Sequence, residues 1–131
     1  MKRSGILNAE LSKVIAELGH TDTLVIADAG LPIAYTSKKV DLALAAGIPT
    51  FLETLEIILE EVILEKIILA DEIKNESPQI HKEIINIVKD IEIEYFSHEF
   101  FKQKASEAKC IVRTGEYTPF ANIILVSGVD F

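Results

Sequence analysis

Short apolar runs alternate with longer amphipathic stretches along the chain. Runs of three to five mostly apolar residues, many of them β-branched and bounded by turn signals, predict buried strands over 24–27, 67–70, 93–96, 110–112 and 122–126. A weaker run, Val40 to Leu44, is compatible with a further short strand. The chain therefore offers five or six strands for one sheet.

The first amphipathic stretch predicts a helix from about Ala9 to Leu18. Asn8 precedes it as a good N-cap residue, and apolar residues then recur at helical spacing. Gly19 follows the last of them, and glycine is the usual residue at the position just beyond a helix C-terminus. The sequence thus predicts that this helix ends at Gly19.

Three later helix starts are indicated by capping residues. Thr50 and Glu53 form a capping-box pattern at the head of a strongly amphipathic stretch. Ser77 and Pro78 read as a cap followed by a proline at the first helical position. Ser97 is predicted to cap a short helix that follows the 93–96 strand.

Strands that alternate with helices of 10 to 15 residues are typical of βαβ units. The predicted fold class is therefore α/β, with a mainly parallel sheet and helices on its faces. The layering is Rossmann-like, but neither the glycine-rich dinucleotide motif nor a Walker-type loop is present. No internal repeat or linker interrupts the pattern, so residues 1–131 are predicted to form one domain.

Composition narrows the possible partners. Hydrophobic residues make up 49% of this small chain, which predicts that apolar surface is buried against other subunits. The net charge of −8 repels a phosphate backbone, so nucleic acid is excluded as a partner. The apolar runs are too short to span a membrane, the first residues do not form a signal peptide, and the single cysteine forms no intrachain disulfide. We therefore expect a soluble, cytoplasmic protein with no membrane partner.

Two polar residues flank the 24–27 strand. His20 follows Gly19, and the pattern alone fits a surface-loop residue as well as an acid–base group. Asp28 lies at the carboxyl end of the strand, which is the edge where open α/β sheets bind ligands. A local turn before Gly30 accounts for an aspartate there equally well.

Two further candidates come later in the chain. His98 lies in the first turn of the helix after Ser97, with Lys102 four residues on and hence on the same face. The pattern fits His98 either as a residue that contacts a ligand or as a partly exposed helix residue. The long polar loop over 113–122 ends at Asn122, whose amide can face a ligand, although a structural connection between strands explains the loop as well.

No metal or cofactor is predicted. The three histidines and the cysteine lack metal-ligand spacing. Cys110 lies inside an apolar strand, where a thiol is inert, so nucleophilic catalysis is disfavoured. His81 lies between polar residues of the helix after Pro78 and is interpreted as part of a solvated helix face.

Seven ordered motifs resemble one known family. They are Gly5-Ile-Leu-Asn8, Leu18-Gly-His-Thr-Asp22, Asp28-Ala-Gly-Leu-Pro32, Glu72-Ile-Lys74, His98-Glu-x-Phe-Lys102, Arg113-Thr-Gly-Glu-x-Thr-Pro-Phe-Ala-Asn122 and Gly128-Val-x-Phe131. Together they run from end to end of the chain and look like the D-ribose pyranase family, which is related to the L-fucose mutarotases.

The resemblance implies a cofactor-free isomerase that interconverts pyranose and furanose forms of ribose. It also implies a ring-shaped homo-oligomer, typically a decamer of two pentamers, as in that family. By the matching motifs, His20 is the proton donor, Asp28 and His98 bind the sugar, and Phe120, Ala121 and Asn122 line it. Lys102 is a weaker candidate by its place in the His98 motif.

One residue departs from the family pattern. The family usually has tyrosine where this chain has Phe120, so a hydrogen bond worth roughly 0.5–1.5 kcal/mol, or a proton-relay group, is missing. Ring packing and main-chain contacts can persist there. Two alternatives therefore stay open, namely a non-catalytic sugar-binding module and a mutarotase acting on another aldose such as fucose.

The chemistry suits an imidazole. Opening a cyclic hemiacetal removes a proton from the anomeric hydroxyl and delivers one to the ring oxygen, and a group with an unperturbed pKa of about 6.5 can do either. However, a strand from Thr23 to Ala27 spans roughly 16 Å and separates His20 from Asp28. We therefore expect either that the chain folds back before Thr23 or that the site lies at a subunit interface.

Overall fold

Five of the six strands run parallel, and the last strand of the chain enters the middle of the sheet in the opposite direction. The computed structural model describes residues 1–131. The strands are β1 (Thr23–Ala27), β2 (Lys39–Asp41), β3 (Leu64–Ala70), β4 (Glu92–Phe96), β5 (Cys110–Arg113) and β6 (Ile123–Ser127). Their order is β2-β5-β1-β6-β3-β4, with β6 antiparallel to both β1 and β3. The predicted mainly parallel sheet is confirmed.

Five helices accompany the strands, the first of them before β1. They are α1 (Ala9–Ala16), α2 (Phe51–Leu59), α3 (Ile73–Glu76), α4 (Pro78–Val88) and α5 (His98–Ser106). None of them combines the length and the apolar character that a membrane-crossing helix needs. The short α3 was not predicted, because four residues are too few to show a helical period.

Both faces of the sheet are covered, as the alternation along β1 shows. Leu24 and Ile26 pack into a core shared with α1, α2 and α4. Val25 and Ala27 point the other way and pack against Phe101 of α5. Because strand side chains alternate between faces, this central strand is apolar throughout. Helices α1, α2 and α4 thus cover one face, and α5 packs on the other.

The predicted helix starts are present. The Thr50 hydroxyl accepts from the Glu53 amide at 3.1 Å, and the Glu53 carboxylate accepts from the Thr50 amide at 3.1 Å, which completes the capping box of α2. The Asn8 side chain caps α1, and the Ser97 hydroxyl caps α5. Local side-chain chemistry therefore fixes three of the helix N-termini.

Several local predictions were wrong. Helix α1 ends at Ala16, before Gly19, because the Gly19 amide instead donates to the Asp22 carboxylate in a separate turn. Ser77 precedes α4 but does not cap it; its hydroxyl donates to the Pro119 carbonyl at 2.6 Å. The short strand that the run over 40–44 suggested is present as the edge strand β2, but it ends at Asp41 rather than Leu44.

The interpretation of His81 also needs correction. Its ring is half-buried rather than solvated, and its Nε2 lies 2.7 Å from the Tyr95 hydroxyl of the edge strand β4. Burial, followed by the nearby Lys74 ammonium, lowers the pKa of His81. The helix pattern alone cannot show that an edge strand offers a partner to this position.

Gly115, between β5 and β6, is required by close packing. A Cβ added there would lie 2.5 Å from the carbonyl oxygens of Ala45 and Ile48. Backbone atoms cannot rotate out of the way as the end of a side chain can, so Gly115→Ala must move one of the two loops. We expect a loss of about 1–3 kcal/mol in the free energy of unfolding, as for other overpacked sites, measured by urea denaturation.

Gly19→Ala is the matched control for this prediction. At Gly19 the nearest atom to an added Cβ is the Asp22 carboxylate oxygen at 3.4 Å, which is an ordinary contact. Equal urea midpoints for the two variants would contradict the steric explanation.

Candidate functional site

A cavity of about 480 Å³ opens at the carboxyl edge of the parallel strands. Residues 28–32, which follow β1, form one wall, and Arg113 with residues 116–120 of the β5–β6 connection forms another. His98, the first residue of α5, completes the lining. The cavity therefore lies where open α/β sheets place their ligands.

Asp28 and Asn122 are joined by paired hydrogen bonds. The Asn122 side-chain amide donates to Asp28 Oδ2 at 2.9 Å, and its carbonyl accepts from the Asp28 amide at 2.8 Å. Asn122 is almost completely buried, so its amide orientation is set by this pair of contacts. Asp28 Oδ1 accepts from the Gly30 amide at 2.9 Å, so the predicted turn is also present. The carboxylate is thereby held in one orientation at the cavity wall.

Phe120 adopts a strained backbone beside the cavity. Its φ angle is +60°, in the left-handed region that a bulky side chain rarely adopts, at a cost of order 1–3 kcal/mol. The turn is held by a 2.8 Å hydrogen bond from the Asn122 amide to the Phe120 carbonyl. The bond from Ser77 to the Pro119 carbonyl fixes the preceding residue. Strain that is over-determined in this way is typical of ligand sites.

His98 is fixed by its backbone and by its ring. Its amide donates to both carboxylate oxygens of Glu72, at 2.9 and 3.1 Å. The ring meets Phe120 edge-on at 5.0 Å between centroids and lies parallel to Phe101 at 6.5 Å. Its Nδ1 atom is buried without a hydrogen-bond partner, so Nε2 is the nitrogen left to contact a ligand.

The Glu116 carboxylate ties the cavity loop to helix α2. Oε1 accepts from the Phe51 amide at 3.0 Å, in the first turn of α2, and Oε2 accepts from the Thr118 amide and hydroxyl at 3.2 and 2.8 Å. Burial alone would raise the pKa of Glu116, but these hydrogen bonds outweigh it, so the pKa lies below its ordinary value. Glu116 is thus ionised and holds the loop in place.

Arg113 is the cationic residue of the cavity lining, and its charge is largely engaged. Its Nε donates to the Ala29 carbonyl at 3.1 Å, and its Nη1 lies 3.2 Å from the Asp41 carboxylate. With Asp28 and Glu116 also in the wall, the cavity suits an uncharged ligand rich in hydroxyl groups. A carboxylate and an imidazole can bind hydroxyls, and an aromatic ring can pack on the C–H face of a sugar.

The residues predicted from the sequence fall into four groups, the last of which is His20 alone. Three line the cavity, namely Asp28, His98 and Phe120. Asn122 lies behind Asp28, and Ala121 is fully buried, so neither belongs to the lining. Lys102 is outside the lining and pairs with Glu99 at 2.7 Å.

His20 lies at the opposite edge of the sheet from the cavity. It precedes β1, whereas Asp28 follows it, and the strand between them runs straight through the sheet over roughly 16 Å. Its Nε2 lies 2.6 Å from the Glu65 carboxylate at the start of β3, and its side chain is 53% exposed. The chain does not fold back to bring His20 into its own cavity.

The sequence reasoning missed the supporting carboxylates. Glu116 and Glu72 lie within the quoted motifs, but their contacts with Phe51 and His98 join parts of the chain 65 and 26 residues apart. Nothing in a local pattern signals such a partner. Across the structure, no group of three or more histidine, cysteine, aspartate or glutamate side chains is arranged to hold a metal ion.

Comparison with known proteins gives a consistent family match. Residues 1–130 match the model of the RbsD / FucU transport protein family. The chain is 52% identical over 139 residues to the D-ribose pyranase of Actinobacillus pleuropneumoniae, with 100% of both chains covered. It is 50% identical over 131 residues to the D-ribose pyranase of Geobacillus thermodenitrificans, covering 100% of this chain and 99% of the relative.

Solved structures agree with the sequence matches. Bacillus subtilis RbsD complexed with D-ribose superposes with a TM-score of 0.96 at 50% identity, covering 100% of both chains. The fucose mutarotase of Streptococcus pneumoniae in complex with L-fucose gives a TM-score of 0.82 at 28% identity, covering 95% of each.

The lowered pKa of Glu116 predicts a pH-dependent contribution to stability. A carboxylate whose folded-state pKa lies below its ordinary 4.5 stabilises the fold above that pH, and the contribution disappears as the pH falls through the folded-state pKa. Glu116→Gln removes it. We therefore expect the gap in unfolding free energy between wild type and Glu116→Gln to be constant near neutral pH and to shrink between about pH 5 and pH 3.

Urea denaturation at a series of pH values measures this gap. Glu60→Gln, at an exposed carboxylate without a hydrogen-bond partner, controls for the change in net charge. A gap for Glu116→Gln that stays constant down to pH 3 would show that the carboxylate is not held as the structure indicates.

Proposed function

Because the chain belongs to the RbsD / FucU transport protein family, we propose that it is a D-ribose pyranase, an isomerase that interconverts the pyranose and furanose forms of D-ribose. The observation that carries the proposal is the cavity itself. Its fixed Asp28 carboxylate, His98 ring and Phe120 ring suit a neutral sugar, in a chain about half identical to D-ribose pyranases over its full length.

The reaction is a ring opening followed by a different ring closure. A base removes the proton of the anomeric hydroxyl while an acid protonates the ring oxygen, and the C1–O bond to that oxygen breaks to give the open aldehyde. The hydroxyl on C4 or on C5 then adds back to the aldehyde, which gives the furanose or the pyranose. Only protons move between protein and sugar. A positioned acid–base group typically contributes 10²–10⁴-fold to such a step.

The proposed roles follow the chemistry of each side chain. His20 is the proton donor to the ring oxygen. Asp28, held by Asn122, and His98, through Nε2, bind sugar hydroxyls and set the orientation of the ring. Phe120 packs against the sugar, and its missing phenolic hydroxyl costs one hydrogen bond relative to the tyrosine usual in the family.

We propose further that each site is shared between two subunits. His20 and the cavity lie at opposite edges of one sheet, so a single chain cannot present both to one sugar. Large apolar side chains are exposed where an interface would cover them. Tyr117 at the cavity is 73% exposed, and Tyr35 is 99% exposed. In this arrangement, His20 of one subunit closes the cavity of its neighbour.

A ring assembly, as the family resemblance implies, is compatible with this sharing. If each subunit gives His20 to one neighbour and receives it from another, the contact is head-to-tail, and such contacts form a ring when the rotation between neighbours closes. A decamer of two pentameric rings is the proposed assembly, and the cytoplasm its proposed location. Native mass spectrometry measures the subunit number directly.

A mutarotase acting on fucose is the second candidate, favoured by the 0.82 TM-score to the fucose mutarotase. A sugar-binding module without activity is the third, because Phe120 lacks the hydroxyl. Measuring exchange rates on ribose and on fucose with the same preparation separates the ribose pyranase from the fucose mutarotase. A sugar-binding module without activity would accelerate neither.

Exchange NMR on equilibrated D-ribose tests the activity. Saturation of a pyranose anomeric proton should transfer to the furanose anomeric proton faster with the protein than in buffer. His20→Ala should return the exchange rate to the buffer value, since it removes the proton donor. If the wild-type protein leaves the exchange rate at the buffer value, the proposed enzymatic activity is refuted.

Subunit complementation tests the shared site. His20→Ala and Asp28→Ala should each be inactive as pure assemblies. Co-expressed in equal amounts, they should recover about a quarter of wild-type activity, because a quarter of the neighbour contacts pair an intact His20 with an intact Asp28. Mixing the two purified proteins without subunit exchange is the control. No recovery in co-expressed assemblies would place both residues in one subunit's site.

A further inference from the structure

The turn that carries His20 is tightly held. The Gly19 amide donates to the Asp22 carboxylate at 2.8 Å, and the Thr21 amide donates to the Ser127 carbonyl at 2.8 Å. Thr21 has a φ of +69°, which is unfavourable for a β-branched residue. The backbone on the two sides of His20 is thus fixed to the rest of the turn and to the end of β6.

Glu65, the partner of His20, lies at an irregularity in β3. Leu64 pairs with Ser127 of β6 and Lys66 with Val126, so Glu65 is the extra residue of a bulge. Bulges re-aim side chains and occur often beside active sites. Gly128 packs against this bulge, since a Cβ added there would lie 3.3 Å from the Glu65 amide nitrogen.

The bulge and the strained turn meet at one contact. Glu65 Oε2 lies 2.6 Å from His20 Nε2, and His20 makes no other side-chain hydrogen bond. The side chains are 53% and 47% exposed, and such pairs generally add little to stability. Here the two backbones are already fixed by other contacts, so the pair orients the ring rather than stabilising the fold.

We propose that Glu65 is a positioning residue that fixes the tautomer of His20. The Glu65 carboxylate accepts from Nε2–H, which leaves Nδ1 as the ring atom that exchanges a proton with the sugar. This inference rests on the proposed role of His20 as proton donor.

The hydrogen bond between His20 and Glu65 is compatible with repeated proton transfer by the His20 ring. Imidazole carries a hydrogen on one nitrogen when neutral and on both when charged. Because Nε2–H is a donor in both states, the hydrogen bond to Glu65 persists when the charged ring donates its Nδ1 proton to the ring oxygen and when the neutral ring takes a proton back. The ring therefore keeps its orientation through ring opening and ring closure, as in other carboxylate–histidine pairs.

The test compares Glu65→Ala and Glu65→Gln with wild type. We expect Glu65→Ala to lower kcat by about tenfold or more while KM changes less than about twofold, because the sugar contacts lie in the neighbour's cavity and only proton transfer loses orientation. Glu65→Gln should fall between, since its amide oxygen still accepts from Nε2–H. Glu94→Ala is the matched control, a half-buried carboxylate one strand away that pairs with Lys66 at 2.7 Å. It should leave kcat unchanged.

The second readout is the His20 tautomer, observed by solid-state NMR of the intact assembly with ¹⁵N-labelled histidine. The His20 signals are identified by their loss in His20→Ala. The neutral His20 ring should be in the Nε2–H form in wild type and should be a mixture of tautomers in Glu65→Ala.

Each outcome decides the inference. Unchanged tautomer signals in Glu65→Ala would overturn it, and so would wild-type kcat with altered signals, since the contact would then not serve the reaction. An equal loss of kcat in Glu94→Ala would indicate a general effect of the surface and would also overturn it. If wild type itself fails to accelerate ribose exchange, the proposed function fails, and the NMR comparison still decides whether Glu65 fixes the His20 ring.

Discussion

The antiparallel position of β6 between β1 and β3 brings the residues that precede β6 to the cavity edge of the sheet. Because β6 runs against its neighbours, its first residues meet the carboxyl ends of β1 and β3. Asn122, just before β6, therefore stands beside Asp28, just after β1, although 94 residues separate them in the chain. A parallel β6 would put Asn122 at the far edge of the sheet. The two hydrogen bonds that the Asn122 side chain makes, to the backbone amide and to the carboxylate of Asp28, exist only in this topology.

Much of the fold could be predicted because the decisive interactions are local. A continuous apolar run such as the one before Asp28 indicates a strand buried on both faces, and Thr50 with Glu53 fixes a helix start within one turn. Strand order and direction could not be predicted from these patterns. Both depend on packing between residues far apart in sequence, so the reversed direction of β6 carries no local signal. Gly19 was misplaced for a different, local reason, since the Asp22 carboxylate three residues on accepts from its amide in a separate turn.

In the candidate site, too, the residue types could be predicted from local sequence, whereas the contacts that orient them could not. The types and positions of Asp28, His98 and Phe120 could be read from the motifs, and these three side chains line one cavity. Their fixed orientations depend on Asn122, Glu72 and the Phe101 ring, which only the folded chain brings together. The distance along β1 did predict that His20 and Asp28 stand apart, because strand rise is nearly constant. Glu65 had no signal at all, since a bulge appears only when two strands are paired.

The separation of His20 from the cavity has a consequence for thermodynamics. Under the proposed arrangement, ribose is held by two chains at once, so it acts as a ligand of the assembled state and not of the isolated subunit. By mass action, sugar at a hundred times its Kd would favour assembly by about 2.7 kcal/mol for each occupied site. The rate per subunit then depends on protein concentration as well as on sugar concentration. A surface mutation far from the cavity can therefore alter the apparent affinity for sugar by loosening the contact between neighbours.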